Sequence, residues 1–574
     1  MKLVKNYIQY IIVGILLILC FFLYWQNMGN YAFVDTNETK FVTIAKDMLS
    51  NNNWMNVKLG NEFFYNFPPL LFWLINGFCV IFEKISTEVV RMPISLVTTL
   101  GIIYLFFLSK NLLSKSYAFI ITLIFATSLG TLIFSRLATT DMLFCIFSMS
   151  AILCASKTLF SRKNKQKIIV WALTYLFIAF ATMTCGILGF LIPTTCIITM
   201  YSLSGNLKEL RKLQHFLFGF IIFLLITIPW HFNMIQTHGF DFIKEYLSTC
   251  NFIKYTGLKE TFKVLFLIFI GFMPWSFSLI WIIIPKFKEI KTSTLAYFKD
   301  NSQSNLQEKW QKLRTTERFL SISTIIFFTS LIFAFLYGAK YTYCVLFLLF
   351  PASCITGFYW YEYIVKKEHD RSIFLSTIIP NLILIICSLI GLFGHNLINT
   401  TIMHDLKSII VPLVIVFFII PVIGIFSVLL KGRIIAFLSN IILMISIASI
   451  LTPTFFNFIM LNGGQNDLIS FSNLAKNENI ELATFIPSKK YSIAYYYDKP
   501  MNYHNNENIN WLKEYLKKNP NNYVIVEIKD LTKIEENKIP YMLMDSGKRY
   551  CLIQYMPSNM RNIDNEEEPQ IYIY

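Results

Sequence analysis

Charge is what this chain has least of. Asp, Glu, Lys and Arg make up 15% of its 574 residues, against 55% hydrophobic. Soluble domains carry about 25% charged residues, so that class is excluded and the chain reads as a polytopic membrane protein. CxxC pairs are missing as well: the eleven cysteines fall mostly inside apolar runs, which speaks against a zinc site or a disulfide framework. No small-residue cleavage site follows the first apolar run, Ile8 to Trp25, so that run is expected to stay as an anchor. Neither an inverted repeat nor a set of mid-span ionisable residues is present, and a transporter usually shows both. The net charge of +16 would suit a nucleic-acid partner, but the positive-inside rule accounts for it without one.

What is there is a series of apolar runs. Runs of spanning length lie near 8–25, 92–109, 117–135, 141–160, 169–184, 187–203, 215–230, 263–284, 319–337, 343–365, 373–393, 409–430 and 434–459, thirteen in all. A further run near 69–83, which takes in "PLLFWLINGFCVIF" (69–82), would reach only about 22 Å as a helix, so an interfacial helix is expected there. Leaving it out makes the polar segments alternate. Residues 285–318 hold eight Lys or Arg against four acids, whereas 26–68 holds three Lys against four acids and 231–262 holds three of each. Basic short loops stay cytoplasmic. The expected fold is therefore about thirteen transmembrane helices with the N-terminus inside and the C-terminus outside. Residues 1–460 would form the membrane domain, with outer loops at 26–91 and 231–262. From 461 the long apolar runs stop. "NINWLKEYLKK" (508–518) has helical spacing and "YVIVEIKD" (523–530) reads as a strand, so 461–574 is expected to be a small α/β domain on the outer face.

This threading puts several polar motifs on one side. "VDTNETKF" (34–41), "FSRLATTD" (134–141), "TCG" (184–186), "IPWH" (228–231), the 231–262 loop and "GAKYTY" (338–343) all fall outside. Each has a plain structural reading. Asp35 and Glu38 could be a solvated loop, and Thr36 or Asn37 a helix cap. Arg136 and Asp141 could fix a turn, Lys340 could snorkel, and the tryptophans near prolines could belong to an interfacial belt. Their shared side is what points to a site for an amphipathic substrate.

In order, these pieces resemble the polyprenyl-phosphate-dependent glycosyltransferases of the GT-C superfamily, above all the aminoarabinose lipid A transferases and the protein O-mannosyltransferases. "NETKF" (37–41) matches their Asp-Glu-Thr-Arg-Tyr-like stretch. "SNNNWMNVKLGNEFFYNFPPLLFWL", "RMPISL", "SRLATTDM", "TCGILGFLIP", "IPWHFN", "MPWSFSLI", "AKYTYCVLFLLFP" and "YSIAYYYDKPM" follow in family order. The resemblance implies a multi-pass inner-membrane enzyme that moves a sugar, an amino sugar among the candidates, from a polyprenyl-phosphate donor to lipid A on the periplasmic face. Protein, or another envelope glycan, is the alternative acceptor, and a catalytically weak binding relative is a further alternative. No cofactor is implied with certainty, and a divalent metal stays open. The chain departs from the pattern at Asn37, where the family has its first acid, and at Asn66, Phe67 and Cys185, where it has an acid and two lysines. Asp35, Glu38 and Asp141 are then the candidate catalytic acids, since transfer needs a carboxylate near the acceptor hydroxyl or the developing positive charge. Asn37, Lys40, Arg136, His231, Lys254, Lys340 and Tyr343 are the candidate substrate-binding residues, the cations among them serving the departing phosphate. A reporter fused after residue 460 should be active only outside the cytoplasm. Activity confined to the cytoplasm would overturn the expected topology.

Overall fold

The computed structural model describes residues 2–35, 37–59, 62–65, 67–160, 164–210, 213–248, 257–282, 303–338, 340–394, 401–499 and 501–556. Lys254, Asn66 and the 557–574 tail lie outside the described residues. The chain divides into two compact units, one of residues 1–30 with 45–453 and one of residues 31–44 with 454–574. The stretch that contains "VDTNETKF" thus packs with the C-terminal residues, more than 400 positions away.

The first unit is a multi-pass membrane bundle, but with fewer spans than the thirteen expected. Among the described residues nine helices are long and apolar enough to cross a bilayer: Ile8–Trp25, Thr87–Leu112, Thr140–Phe160, Lys167–Cys185, Leu217–Ser248, Thr315–Tyr337, Thr342–Lys366, Arg371–Ile390 and Arg433–Ile450. A tenth counts if the bent pair Leu258–Gly271 and Ser276–Ile282, which turns by 112°, is one span. Two of the other expected runs fail for physical reasons. The run at 117–135 breaks into Lys115–Ala126 and Leu129–Phe134, because the backbone at the break finds partners elsewhere: Leu129 N–H donates to Met273 O at 2.9 Å. Ile187–Leu203 has 17 residues and reaches only about 26 Å. The run at 409–430 lies in the helix Thr401–Leu429, of which Val414–Leu429 is the apolar part described.

The helix expected at 69–83 is Leu70–Ile81, 12 residues with Leu71, Phe72, Ile75 and Cys79 buried. Trp73 Nε1 donates to Trp54 O at 2.6 Å, tying it to the preceding loop. A two-stranded hairpin, β1 (Lys58–Leu59) with β2 (Glu62–Phe63), lies within that loop. The expected outer loop at 231–262 is different in the structure. Its first part continues the Leu213–Ser248 helix, kinked at Gly239 (φ 57°, ψ −134°), and the next helix begins at Leu258.

In the second unit β3 (Leu482–Phe485), β4 (Asn502–His504), β5 (Tyr523–Glu527), β6 (Tyr541–Ser546) and β7 (Tyr550–Tyr555) form one sheet in the order β4-β3-β5-β7-β6. Pairing is parallel around β3 and antiparallel around β7. The "YVIVE" of β5 is buried along its whole length, as a central strand covered on both faces must be. Its period of two divides the core: Tyr523 and Ile525 pack with Leu468, Phe471 and Ile493, while Val524 and Val526 pack with Leu512, Leu516 and Ile534.

One tight joint in the membrane unit is fixed by glycine. Gly186 has φ 64° and ψ −142° between Asn164–Cys185 and Ile187–Leu203, a region only glycine visits at low cost. A Cβ on Gly189 would sit 2.1 Å from Ala181 O, and a backbone atom cannot give way as a side chain can. Gly189→Ala should lower the thermal midpoint by an amount corresponding to about 1–3 kcal/mol. Gly77→Ala, in a half-buried helical position with nothing within 4 Å of the new Cβ, should leave it unchanged or raise it slightly. Equal midpoints for the two variants would contradict this account.

Candidate functional site

In the membrane unit the candidate acid is Asp141, buried in the first turn of Thr140–Phe160. The Thr342 hydroxyl donates to Asp141 Oδ1, so two elements 201 positions apart meet at this carboxylate. Thr342 opens the Thr342–Leu346 helix, and the next residue, Tyr343, is buried with its ring 5.0 Å from that of Phe144. Cys185 ends its helix buried, its thiol in hydrogen-bonding contact with Thr140. Asp141, Thr342, Tyr343 and Cys185 therefore form one cluster. An apolar cavity lined by Gly130, Phe134, Leu267, Thr342, Val345 and Leu346 opens beside Thr342.

Arg136 is fully buried and has a structural task. Its Nε donates to Leu23 O at 2.6 Å and its Nη2 to Phe22 O at 3.3 Å. Those carbonyls sit in the Phe21–Trp25 turn that ends the first helix, where the last carbonyls have no helical partner. The planar guanidinium suits two adjacent acceptors. His231 is also engaged at both ring nitrogens, Nδ1 with Thr227 O at 2.7 Å and Nε2 with the Tyr246 hydroxyl at 2.9 Å. A carbonyl only accepts, so Nδ1 carries a proton. The neighbouring Trp230 Nε1 donates to Met55 O at 3.0 Å, and His238 Nε2 lies 3.2 Å from Asn56 Oδ1. This helix thereby holds the first loop in place. Lys340 is exposed, with Nζ 4.8 Å from the Tyr341 ring centroid.

The second unit holds Asp35, Asn37, Glu38 and Lys40. Asn37 is exposed and starts the Asn37–Ser50 helix. Glu38 is fully buried, and its Oε2 accepts the Val34 N–H at 2.8 Å. Asp35 Oδ1 accepts from the Ser492 N–H and from the Thr39 hydroxyl, both at 3.2 Å. Its own N–H donates to Gln465 Oε1 at 3.1 Å, and Gln465 Nε2 donates to Phe33 O. Lys40 lies with Nζ 5.7 Å from the Tyr491 ring centroid, and burial pushes its ammonium down to about 8. Sequence reasoning did not single out Thr342, Gln465, Lys490 or Ser492. Lone polar residues in apolar or loop stretches carry no signal of their own; only their distant partners give them a role.

For a metal, Glu362, Glu368 and His369 bring their ligand atoms within 4.8 Å of one another and could hold a divalent ion. Glu362 already engages Lys366 at 2.8 Å and His369 at 2.7 Å. The group lies at the far end of Thr342–Lys366 from Thr342, about 30 Å away at helical rise. An ion there would not reach Asp141.

The family description dolichyl-phosphate-mannose-protein mannosyltransferase matches residues 66–232. Among solved structures, ArnT from Cupriavidus metallidurans bound to undecaprenyl phosphate superposes with a TM-score of 0.72 at 12% identity, covering 96% of this chain and 98% of that one. Its apo form gives 0.71 at 12% identity, over 96% and 99%. The chain has the fold of these ArnT structures. In sequence the likenesses are partial. An Aquifex aeolicus protein is 24% identical over 47% of this chain and 54% of its own length. A Pseudomonas fluorescens protein, undecaprenyl phosphate-alpha-4-amino-4-deoxy-L-arabinose arabinosyl transferase 2, is 22% identical over 38% of each chain. The chain thus matches about half or less of the length of these curated relatives.

Lys40 offers a direct check on the environment of the second unit. With its pKa near 8, the neutral amine gains tenfold per pH unit below pH 8 and saturates above it. Acylation of the Lys40 peptide, followed by mass spectrometry, should show that profile. A rate still climbing tenfold per unit at pH 10 would mean the side chain is not held in so dry a place.

Proposed function

We propose that this protein transfers a sugar from a polyprenyl-phosphate carrier to lipid A at the periplasmic face of the inner membrane, with an amino sugar as the group moved. The observation that carries this reading is the end-to-end fold match to an ArnT solved with undecaprenyl phosphate. The Pseudomonas fluorescens relative, whose printed name is that of an aminoarabinose transferase, supports the amino sugar. The mannosyltransferase match over 66–232 favours a second reading, in which the acceptor is a protein.

The chemistry follows from the groups present. The acceptor hydroxyl oxygen attacks the anomeric carbon, the bond from that carbon to the phosphate oxygen breaks, and polyprenyl phosphate leaves with the bonding pair. The acceptor's proton passes to a carboxylate. Asp141 is our choice for that role, because it is buried at a helix start and Thr342 fixes one of its oxygens. Glu38 is the second candidate carboxylate, for the positive charge that develops on the sugar. Lys40 and Lys340 serve the phosphate, with Lys254 completing the set, and Asn37 contacts the polar part of the substrate. Tyr343 and His231, each held by its neighbours, are candidate substrate contacts, and Arg136 serves by holding the turn at Phe22 and Leu23. No step needs the Glu362 group.

Mass spectrometry of lipid A from cells with and without the protein should show a mass increment that depends on it. In a purified assay with an undecaprenyl-phosphate sugar, Asp141→Asn should lower turnover by about 10²–10⁴-fold, the usual cost of losing a general base. Unchanged lipid A together with glycosylated envelope protein would move the assignment to the second reading. Near-normal turnover by Asp141→Asn would remove Asp141 from the mechanism.

A further inference from the structure

Asp35 looks like the acid displaced by two positions from the missing one at 37, yet its contacts describe another duty. The Tyr491–Tyr497 helix begins after Lys490, whose side chain makes no cap hydrogen bond. A helix start leaves N–H groups unpaired, and a carboxylate accepting from the second or third of them is the usual remedy. Here the remedy comes from 457 positions upstream: Asp35 Oδ1 accepts the Ser492 N–H at 3.2 Å. The same oxygen accepts the Thr39 hydroxyl at 3.2 Å, in the first turn of Asn37–Ser50. One carboxylate oxygen therefore joins two helix starts. Asp35 Oδ2 is buried without a hydrogen-bond partner and lies 3.9 Å from Lys490 Nζ. That pairing, with the carboxylate side chain 7% exposed, balances the charge where water is nearly excluded.

Three further contacts of the same unit run alongside. The Phe33 ring meets Tyr495 edge-on at 5.1 Å, Tyr31 stacks on Phe456 at 4.7 Å, and the Gln465 amide bridges Phe33 O and the Asp35 N–H. The stretch from 31 to 40 is thus fastened to the C-terminal domain immediately before Glu38 and Lys40.

We propose that Asp35 is a positioning residue, which together with Ser492 and Lys490 forms a latch by which the C-terminal domain sets the place of Glu38 and Lys40. Its bearing on turnover rests on the function proposed above; the latch itself does not. A base must accept a proton, whereas a cap needs only an oxygen lone pair, and an amide keeps that oxygen. The two roles therefore separate in Asp35→Asn.

The experiment uses the full chain in lipid nanodiscs, reading hydrogen–deuterium exchange over 31–44 and 491–497 and turnover with an undecaprenyl-phosphate sugar. Asp35→Asn should keep protection in both segments and stay within about fivefold of wild-type turnover, because only the charge at a helix start is lost. Asp35→Ala should lose protection in both segments together and turn over about tenfold more slowly. A loss of 100-fold or more in Asp35→Asn with protection intact would make Asp35 the base and overturn the proposal. Unchanged protection in Asp35→Ala would also overturn it, because no latch would then exist. Should Asp35→Ala not fold, Lys490→Met, which unlike Asp35→Asn leaves a buried carboxylate charge without its counter-charge, should loosen the same two segments together, and unchanged protection there would count against the latch. If the wild type shows no transfer, the function reading has failed, and the exchange measurements alone judge the latch.

Discussion

In a bilayer, a backbone carbonyl that loses its helical partner has no water to bond instead. This constraint governs the membrane unit, because its helices break in several places and every break has to be answered by another part of the chain. At the end of the first helix the answer is Arg136, which takes the carbonyls of Phe22 and Leu23, with Arg91 Nη1 donating to Met28 O at 2.6 Å a little further on. Where the Lys115–Ala126 helix ends, the Tyr24 hydroxyl donates to Ala126 O at 2.7 Å and Trp275 Nε1 to the Thr127 hydroxyl at 3.1 Å. The buried arginines of this apolar unit are thus partners to broken backbone, and the breaks turn the chain so that Asp141 and Thr342 can meet.

The same constraint decides what could be read in the sequence. Nine spans were legible from run length and charge alternation, since a helix that satisfies its own backbone needs nothing from afar. The run at 117–135 was misread because its break is satisfied by Met273 and Trp275, which no local pattern announces. In the C-terminal domain the strand at 523–527 and the helix at 509–518 were legible from period and apolar content, because both bury what the pattern marks. That 31–44 belongs with that domain was not legible. Its attachment runs through Gln465 and Ser492, ordinary polar residues whose meaning exists only once the fold brings them to Asp35. Of the site, Asp141 came through resemblance, while Thr342, a lone hydroxyl at the edge of an apolar run, became visible only as its partner.

The departures from the family pattern also form a physical whole. Phe67 stands where a lysine was expected, and its ring stacks with Phe64 at 5.9 Å. Nearby, Phe63, Tyr65 and His238 cluster with ring centroids 4.1 to 5.9 Å apart, and Tyr65 continues to Phe242 at 5.7 Å. Cys185, in place of the other lysine, is buried against Thr140. Against the pattern of the family that the chain resembles, an aromatic residue and a thiol stand in place of two lysines. Lys40 and Lys340 remain, each with its ammonium beside a tyrosine ring, where the ring's negative face partly replaces hydration. A phosphate held by fewer cations is held less tightly and responds less to salt. On the proposed reading, the weight of donor recognition then shifts from the phosphate toward the lipid chain, whose burial contributes about 0.8 kcal/mol per methylene and is indifferent to charge. Burial has also lowered the Lys40 pKa to about 8, so its share of the electrostatic hold is half lost at that pH and fades above it, while the apolar hold does not.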